Sequence, residues 1–169
     1  MTILAHIASG YSIYKIATNT VGIESSLLLR LAIAGALAPD VDGFFGRQMK
    51  DHRNTVFHSL LFWVVGFIGA HSISYILNNT NFTPYLNIFF LGIFIHLFLD
   101  WFGGRTAGIR IFFPFSKKIY ALFPIKPEKG NIPVLPPGKE HIRFYRFFYF
   151  ENKLLIICEL LVILSPLIF

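Results

Sequence analysis

Two apolar runs, 56–77 (VFHSLLFWVVGFIGAHSISYIL) and 84–102 (PYLNIFFLGIFIHLFLDWF), are separated by only six residues, and no other feature constrains this chain as tightly. A helix that crosses the hydrocarbon core of a bilayer needs ~20 mostly apolar residues. Both runs meet that length, and the short connection makes them antiparallel neighbours. A third run, 153–169, carries Glu159 within it. Two weaker runs are 2–18, interrupted by His6, Ser9 and tyrosines, and 23–38, interrupted by Arg30. A polar residue within a span faces the bundle interior. The pattern therefore predicts an all-α, polytopic membrane bundle of about five helices, forming one domain over 1–169. Arg30 and Glu159 are candidates for a pair inside that bundle.

Composition excludes an ordinary soluble domain. Charged residues make up 14% of the chain, against about 25% in soluble proteins. The net charge of +6 is carried between apolar runs rather than as a patch on a polar body, so no nucleic-acid partner is expected. The lone cysteine, Cys158, excludes an internal disulfide. The N-terminus lacks the basic start of a signal peptide.

Loop charges give the orientation. Loops 19–22 and 78–83 hold no Lys or Arg, whereas 39–55 holds Arg47, Lys50 and Arg53, and 103–151 holds nine basic residues. The positive-inside rule puts the N-terminus and the two basic loops in the cytoplasm of an inner-membrane protein, and the C-terminus outside. Segment 103–151 exceeds the ~12–15 residues of a plain connection. Its aromatics and prolines (FFPF, PPGK, RFYRFFYF) predict a juxtamembrane layer at headgroup depth, with its basic groups near anionic lipid.

Candidate chemistry falls into four places. In HLFLD, His96 and Asp100 are four apart and share one face of a helix. An imidazole nitrogen and a carboxylate oxygen on one face can hold a divalent metal, where a packed His–Asp pair is the plainer reading. PDVD puts Asp40 and Asp42 at the end of an apolar helix that Pro39 terminates. HRNTVFHS puts His52, Arg53 and His58 at the start of the next. His6 stands in the first run. His71, by contrast, lies mid-run and reads as an interhelical hydrogen-bond partner.

Depth unites these signals. Counted from loop 78–83, His58, His96 and Asp100 lie ~30, ~20 and ~26 Å down their helices. Counted from loop 19–22, His6 and Asp40 lie ~20 and ~27 Å down theirs. His6, Asp40, Asp42, His52, His58, His96 and Asp100 can therefore meet near the inner face.

In this order, PDVD, HRNTVFHS, HLFLD, then Thr106, Gly108 and Phe113-Pro114-Phe115, the chain resembles the LexA-binding, inner-membrane-associated hydrolase family, also described as membrane-bound metal-dependent hydrolases. The resemblance runs from about residue 6 to about residue 118. In the family pattern the two histidines stand one residue closer and Thr precedes the second. Here they are six apart and Phe57 stands there, and Gly43 follows Asp42 where relatives often have His. A distant similarity of that family to zinc-dependent phospholipase C and related nucleases implies phosphoester hydrolysis.

The expectation is a metal-dependent hydrolase on the cytoplasmic membrane face. It would hold a divalent ion, Zn²⁺ first, on His6, Asp40, His52, His58, His96 and Asp100. Asp40, Asp42 and Arg53 would serve the chemistry, with Arg53 or Arg105 neutralising an anionic, membrane-adjacent substrate. The alternatives are a non-catalytic membrane binding or regulatory protein and a small transporter.

Overall fold

The computed structural model describes all residues except 23, 45–52, 134–138, 152 and 169. Its described part is all-helical, with six α-helices: α1 (Ile3–Val21), α2 (Ser26–Leu37), α3 (Leu60–Ile76), α4 (Thr83–Gly103), α5 (Lys139–Phe150) and α6 (Lys153–Leu164). The sixth helix relative to expectation is α5, which lies inside the juxtamembrane segment. One isolated antiparallel bridge, Ile109 to Tyr120, pins that segment where it leaves α4.

Local chemistry explains the boundaries. The Thr2, Ser25 and Ser59 hydroxyls cap the first turns of α1, α2 and α3, accepting from the amides of Ala5, Leu27 and Phe62. Gly22, at φ +70°, closes α1 by donating to the Thr18 carbonyl. Pro39 and Pro166 lack the N–H that would extend α2 and α6, and the chain continues past each as a 3-10 segment.

The core is the trio α1, α2 and α4, and small residues let its backbones touch. A Cβ on Gly35 of α2 would lie 2.0 Å from the Phe89 carbonyl oxygen of α4. One on Gly92 would lie 2.7 Å from the Ala36 amide, and one on Gly10 of α1 would lie 2.9 Å from the Ala32 carbonyl. Ala32 and Ala36 are wholly buried between them. Lipid supplies no hydrophobic drive for helices to associate, so membrane helices rely on such close packing.

α3 packs on α4 through Trp63, Phe67, Phe90 and Phe94. His71 of α3 reaches Asn87 Oδ1 of α4 through Nε2 at 2.9 Å, which is the interhelical bond its position predicted. No residue of α3 is buried, and Val65, Ile68, Ile73 and Ile76 face outward. α6 likewise exposes Leu154, Ile157, Leu160, Leu161 and Leu164. Glu159 of α6, buried, accepts from the Thr2 backbone amide at 3.0 Å and from the Thr2 hydroxyl, tying α6 to the start of α1. Its observed partner is thus Thr2, where Arg30 was the candidate.

Among the described residues one helical run, Thr80–Gly103, is long and apolar enough to cross a membrane. α3, with 17 residues, rises ~26 Å, and α2 and α6, with 12 each, rise ~18 Å. The runs 23–38 and 153–169 therefore form shorter helices than the ~30 Å core requires. The capping serine and the two prolines set those lengths.

Candidate metal centre

Three elements deliver the site. A 3-10 segment, Ala38–Phe44, carries Asp40 and Asp42 off the end of α2. A short 3-10 turn, Val56–His58, places His58 just ahead of α3. The last two turns of α4 carry His96 and Asp100, whose four-residue spacing puts both on the face toward α2.

Asp40, His58, His96 and Asp100 each offer one ligand atom, and these atoms lie within 4.8 Å of one another. His58 Nε2 and His96 Nε2 stand 3.2 and 3.4 Å from Asp100 Oδ2. They stand 3.8 and 3.6 Å from Asp40 Oδ1. A tetrahedral ion with bonds of ~2.0–2.2 Å needs ligand–ligand edges of ~3.3–3.6 Å. Four of the six edges thus lie at or near that range, and the donor set, two imidazoles and two carboxylates, suits Zn²⁺ and similar borderline ions. His96 Nε2 is buried and makes no hydrogen bond, as a nitrogen reserved for a metal would.

Both imidazoles are oriented from behind. His58 Nδ1 lies 2.8 Å from Asp42 Oδ2, which also accepts from the Thr55 hydroxyl. His96 Nδ1 donates to the Ala36 carbonyl at 2.7 Å. An acceptor on Nδ1 keeps the proton there and leaves the Nε2 lone pair facing the cluster, the usual support of a metal-ligating histidine. Asp42, completely buried, is therefore an orienting residue outside the ligand set. The expected ligand set likewise holds Asp40 and leaves out Asp42, which is expected there to serve the chemistry directly.

Asp100 divides its oxygens. Oδ2 faces the histidines, while Oδ1 accepts from Arg53 Nη2 at 2.8 Å. Arg53 Nη1 also donates to the Ala107 carbonyl at 3.2 Å, so this guanidinium braces the wall of the site. The Met1 ammonium lies on the same oxygen at 2.8 Å, and the two cations on Oδ1 disfavour a second metal there.

His6 is wholly buried and stacks on His96, with ring centroids 3.8 Å apart and planes 19° apart. Its Nε2 lies 3.4 Å from Asp100 Oδ1, on the arginine side, so the structure puts His6 beside the four-atom cluster and not within it. His52 lies outside the described residues. Arg105 faces α5 instead of the cluster: its guanidinium lies 5.3 Å from the Phe147 ring and 3.7 Å from the Glu151 carboxylate. What residue spacing did not reveal was the Ala36 carbonyl and the Thr55 hydroxyl. A backbone acceptor carries no side-chain signature, and threonine before a helix reads as a cap.

At His58 burial disfavours the imidazolium, but hydrogen bonds to Asp100 and Asp42 outweigh it and raise the pKa above the ordinary 6.5.

A helical protein with a buried two-histidine, two-aspartate centre at one end of its helices is the class that this geometry defines. The chain belongs to the YdjM inner membrane protein family, whose family model matches residues 1–168. No curated protein and no solved structure matches it. Membership agrees with the inner-membrane part of the resemblance drawn from the motifs, and it associates the chain with a lipid bilayer.

Proposed function

We propose that this protein is a polytopic inner-membrane, metal-dependent hydrolase whose site opens at the cytoplasmic face and acts on a phosphoester or a similar anionic, membrane-adjacent substrate. The observation that carries the reading is the convergence of Asp40 Oδ1, His58 Nε2, His96 Nε2 and Asp100 Oδ2 within 4.8 Å of one another. Apolar faces on α3 and α6 with no protein cover favour embedding of more than one helix.

A Zn²⁺ held by these residues would lower the pKa of a bound water toward ~7, making hydroxide available at neutral pH. The protein's own groups do the rest. His58, His96 and Asp100, each fully buried, form the rigid part of the ligand set. The Asp40 side chain is 22% exposed, alone among the four, so it borders the opening and is positioned to accept a proton from an attacking water. Arg53 and the Met1 ammonium, each 2.8 Å from Oδ1, hold Asp100 in place.

One observation favours the rival, a non-catalytic metal-binding or regulatory protein: four protein ligands is also the count of a closed structural site. The two readings part on Asp40. Metal content and hydrolysis of a chromogenic phosphodiester would be measured on purified full-length protein, native and with Asp40→Asn or His96→Ala. The hydrolase reading expects metal and activity in the native protein, loss of both in His96→Ala, and retained metal with lost activity in Asp40→Asn. No metal in the native protein, or metal lost from Asp40→Asn with no hydrolysis by the native protein, overturns it.

A further inference from the structure

The helix α5, KEHIRFYRFFYF, is amphipathic in an unusual sense. His141, Phe144, Phe147 and Phe148 are buried against the protein. The opposite face exposes Lys139, Ile142, Arg143, Tyr145, Arg146 and Phe150, so cations and large apolar groups share one surface. Ile142 and Phe150 are 71% and 75% exposed. The single acid of the helix, Glu140, is exposed about 160° round from Ile142 and lies nearly one turn before Arg143. The next acid, Glu151, is paired with Lys126 at 2.8 Å, and that hydrogen bond holds its carboxyl below the usual range. Three cations, Lys139, Arg143 and Arg146, thus outnumber the one carboxylate of the helix.

Water does not favour such a face, and a protein interior does not favour its charges. The headgroup layer of a bilayer accepts both, apolar groups at the acyl boundary and cations among phosphates. Two neighbours point the same way. α6 begins at Lys153, immediately past α5, and exposes a leucine-rich face that requires lipid. The 112–118 turn exposes Phe112 and Phe115 beside Lys117 and Lys118. That turn sits at the metal end of the bundle, because the Phe113 carbonyl accepts from Ser59 at the start of α3. α5 is at the same end, its Phe147 lying under Arg105 just past α4.

We propose that the outer face of α5 is a docking surface for anionic phospholipid headgroups, with Lys139, Arg143 and Arg146 meeting phosphate and Ile142, Tyr145 and Phe150 entering the acyl boundary. The inference rests on the membrane setting and not on the metal reading. The docked helix keeps the metal end of the bundle at the level of the headgroups.

Hydrogen exchange of α5 amides tests this on the full-length protein in nanodiscs. One preparation holds phosphatidylcholine alone and another adds phosphatidylglycerol. Exchange over 139–150 should slow in the phosphatidylglycerol discs, and raised salt should reverse the slowing. Each cation contributes roughly fivefold to association with an anionic surface. Lys139→Gln, Arg143→Gln and Arg146→Gln together should therefore erase the difference between discs while α4 exchange stays native. Equal native exchange in both discs, a difference indifferent to salt, or slowing in phosphatidylcholine discs on adding inorganic phosphate alone would overturn the proposal. Salt reversal needs no variant, so the test survives if the triple variant misfolds. Chelator-treated protein should behave as the untreated does, which separates this outcome from failure of the metal reading.

Discussion

Asp42→Ala probes the logic of the centre most directly, because it removes no ligand atom. In the native protein Asp42 Oδ2 takes the His58 Nδ1 proton at 2.8 Å and accepts from Thr55, with Asp42 and His58 both fully buried. The alanine leaves His58 free to place its proton on Nε2, the nitrogen that faces the cluster. Loss of an outer-sphere partner of this kind weakens metal binding by roughly 10–100-fold, or about 1.4–2.7 kcal/mol. Where the proton stays on Nδ1, the buried His58 N–H left without its Asp42 acceptor adds about 1–3 kcal/mol to the cost of folding the metal-free protein. Zinc affinity would be read by competition with a chromophoric chelator, and stoichiometry by elemental analysis at saturating metal. The expected result is weaker affinity at unchanged stoichiometry. Asp42→Asn, which keeps an acceptor but loses the charge, should fall between. Affinity within twofold of native in Asp42→Ala would refute the orienting role. Abolished stoichiometry, as expected for His96→Ala, would make Asp42 a ligand and refute the assignment of the four atoms.

Three further expectations follow from the same geometry. Arg53→Ala leaves the Met1 ammonium as the remaining cation on buried Asp100 Oδ1, so the cost should fall below the about 3–5 kcal/mol of a fully broken buried pair; the loss of melting temperature should be larger after chelation than with metal bound, and equal loss in both states would contradict the divided use of Asp100. Gly35→Ala drives a methyl to 2.0 Å from the Phe89 carbonyl, so α2 and α4 must separate at a cost of about 1–3 kcal/mol or more; unfolding in mild detergent should show it, and a neutral result would mean the backbone contact is not tight. The raised pKa of His58 means that its proton stabilises the metal-free fold fully below pH 6.5, and that this contribution disappears as pH rises through the higher folded-state value. The same proton competes with metal, so zinc affinity should fall steadily as pH drops from 8 to 6 in the native protein, and flat affinity over that range would count against His58 as a ligand.

Much of this protein is written in short-range pattern. The apolar runs specify α3 and α4, Ser59 and Pro84 mark their starts, and His96 with Asp100 share a face because a helix repeats every ~3.6 residues. Counting residues from the two uncharged loops also places His58, His96, Asp40 and Asp100 at one level, since rise per residue is constant in a helix. Distance along a helix says nothing about rotation between helices, and there the tertiary structure decided the outcome. Backbone contact through Gly10, Gly35 and Gly92 turns α2 toward α4, so that Asp40 faces the histidines while Asp42, two residues on, turns behind His58. The same packing stacks His6 on His96 on the arginine side of Asp100, close to the ligand atoms yet apart from them. It also selects the Ala36 carbonyl as the support of His96. Residue types, spacing and depth are local properties of a chain; which lone pair points at which neighbour depends on how closely two backbones approach.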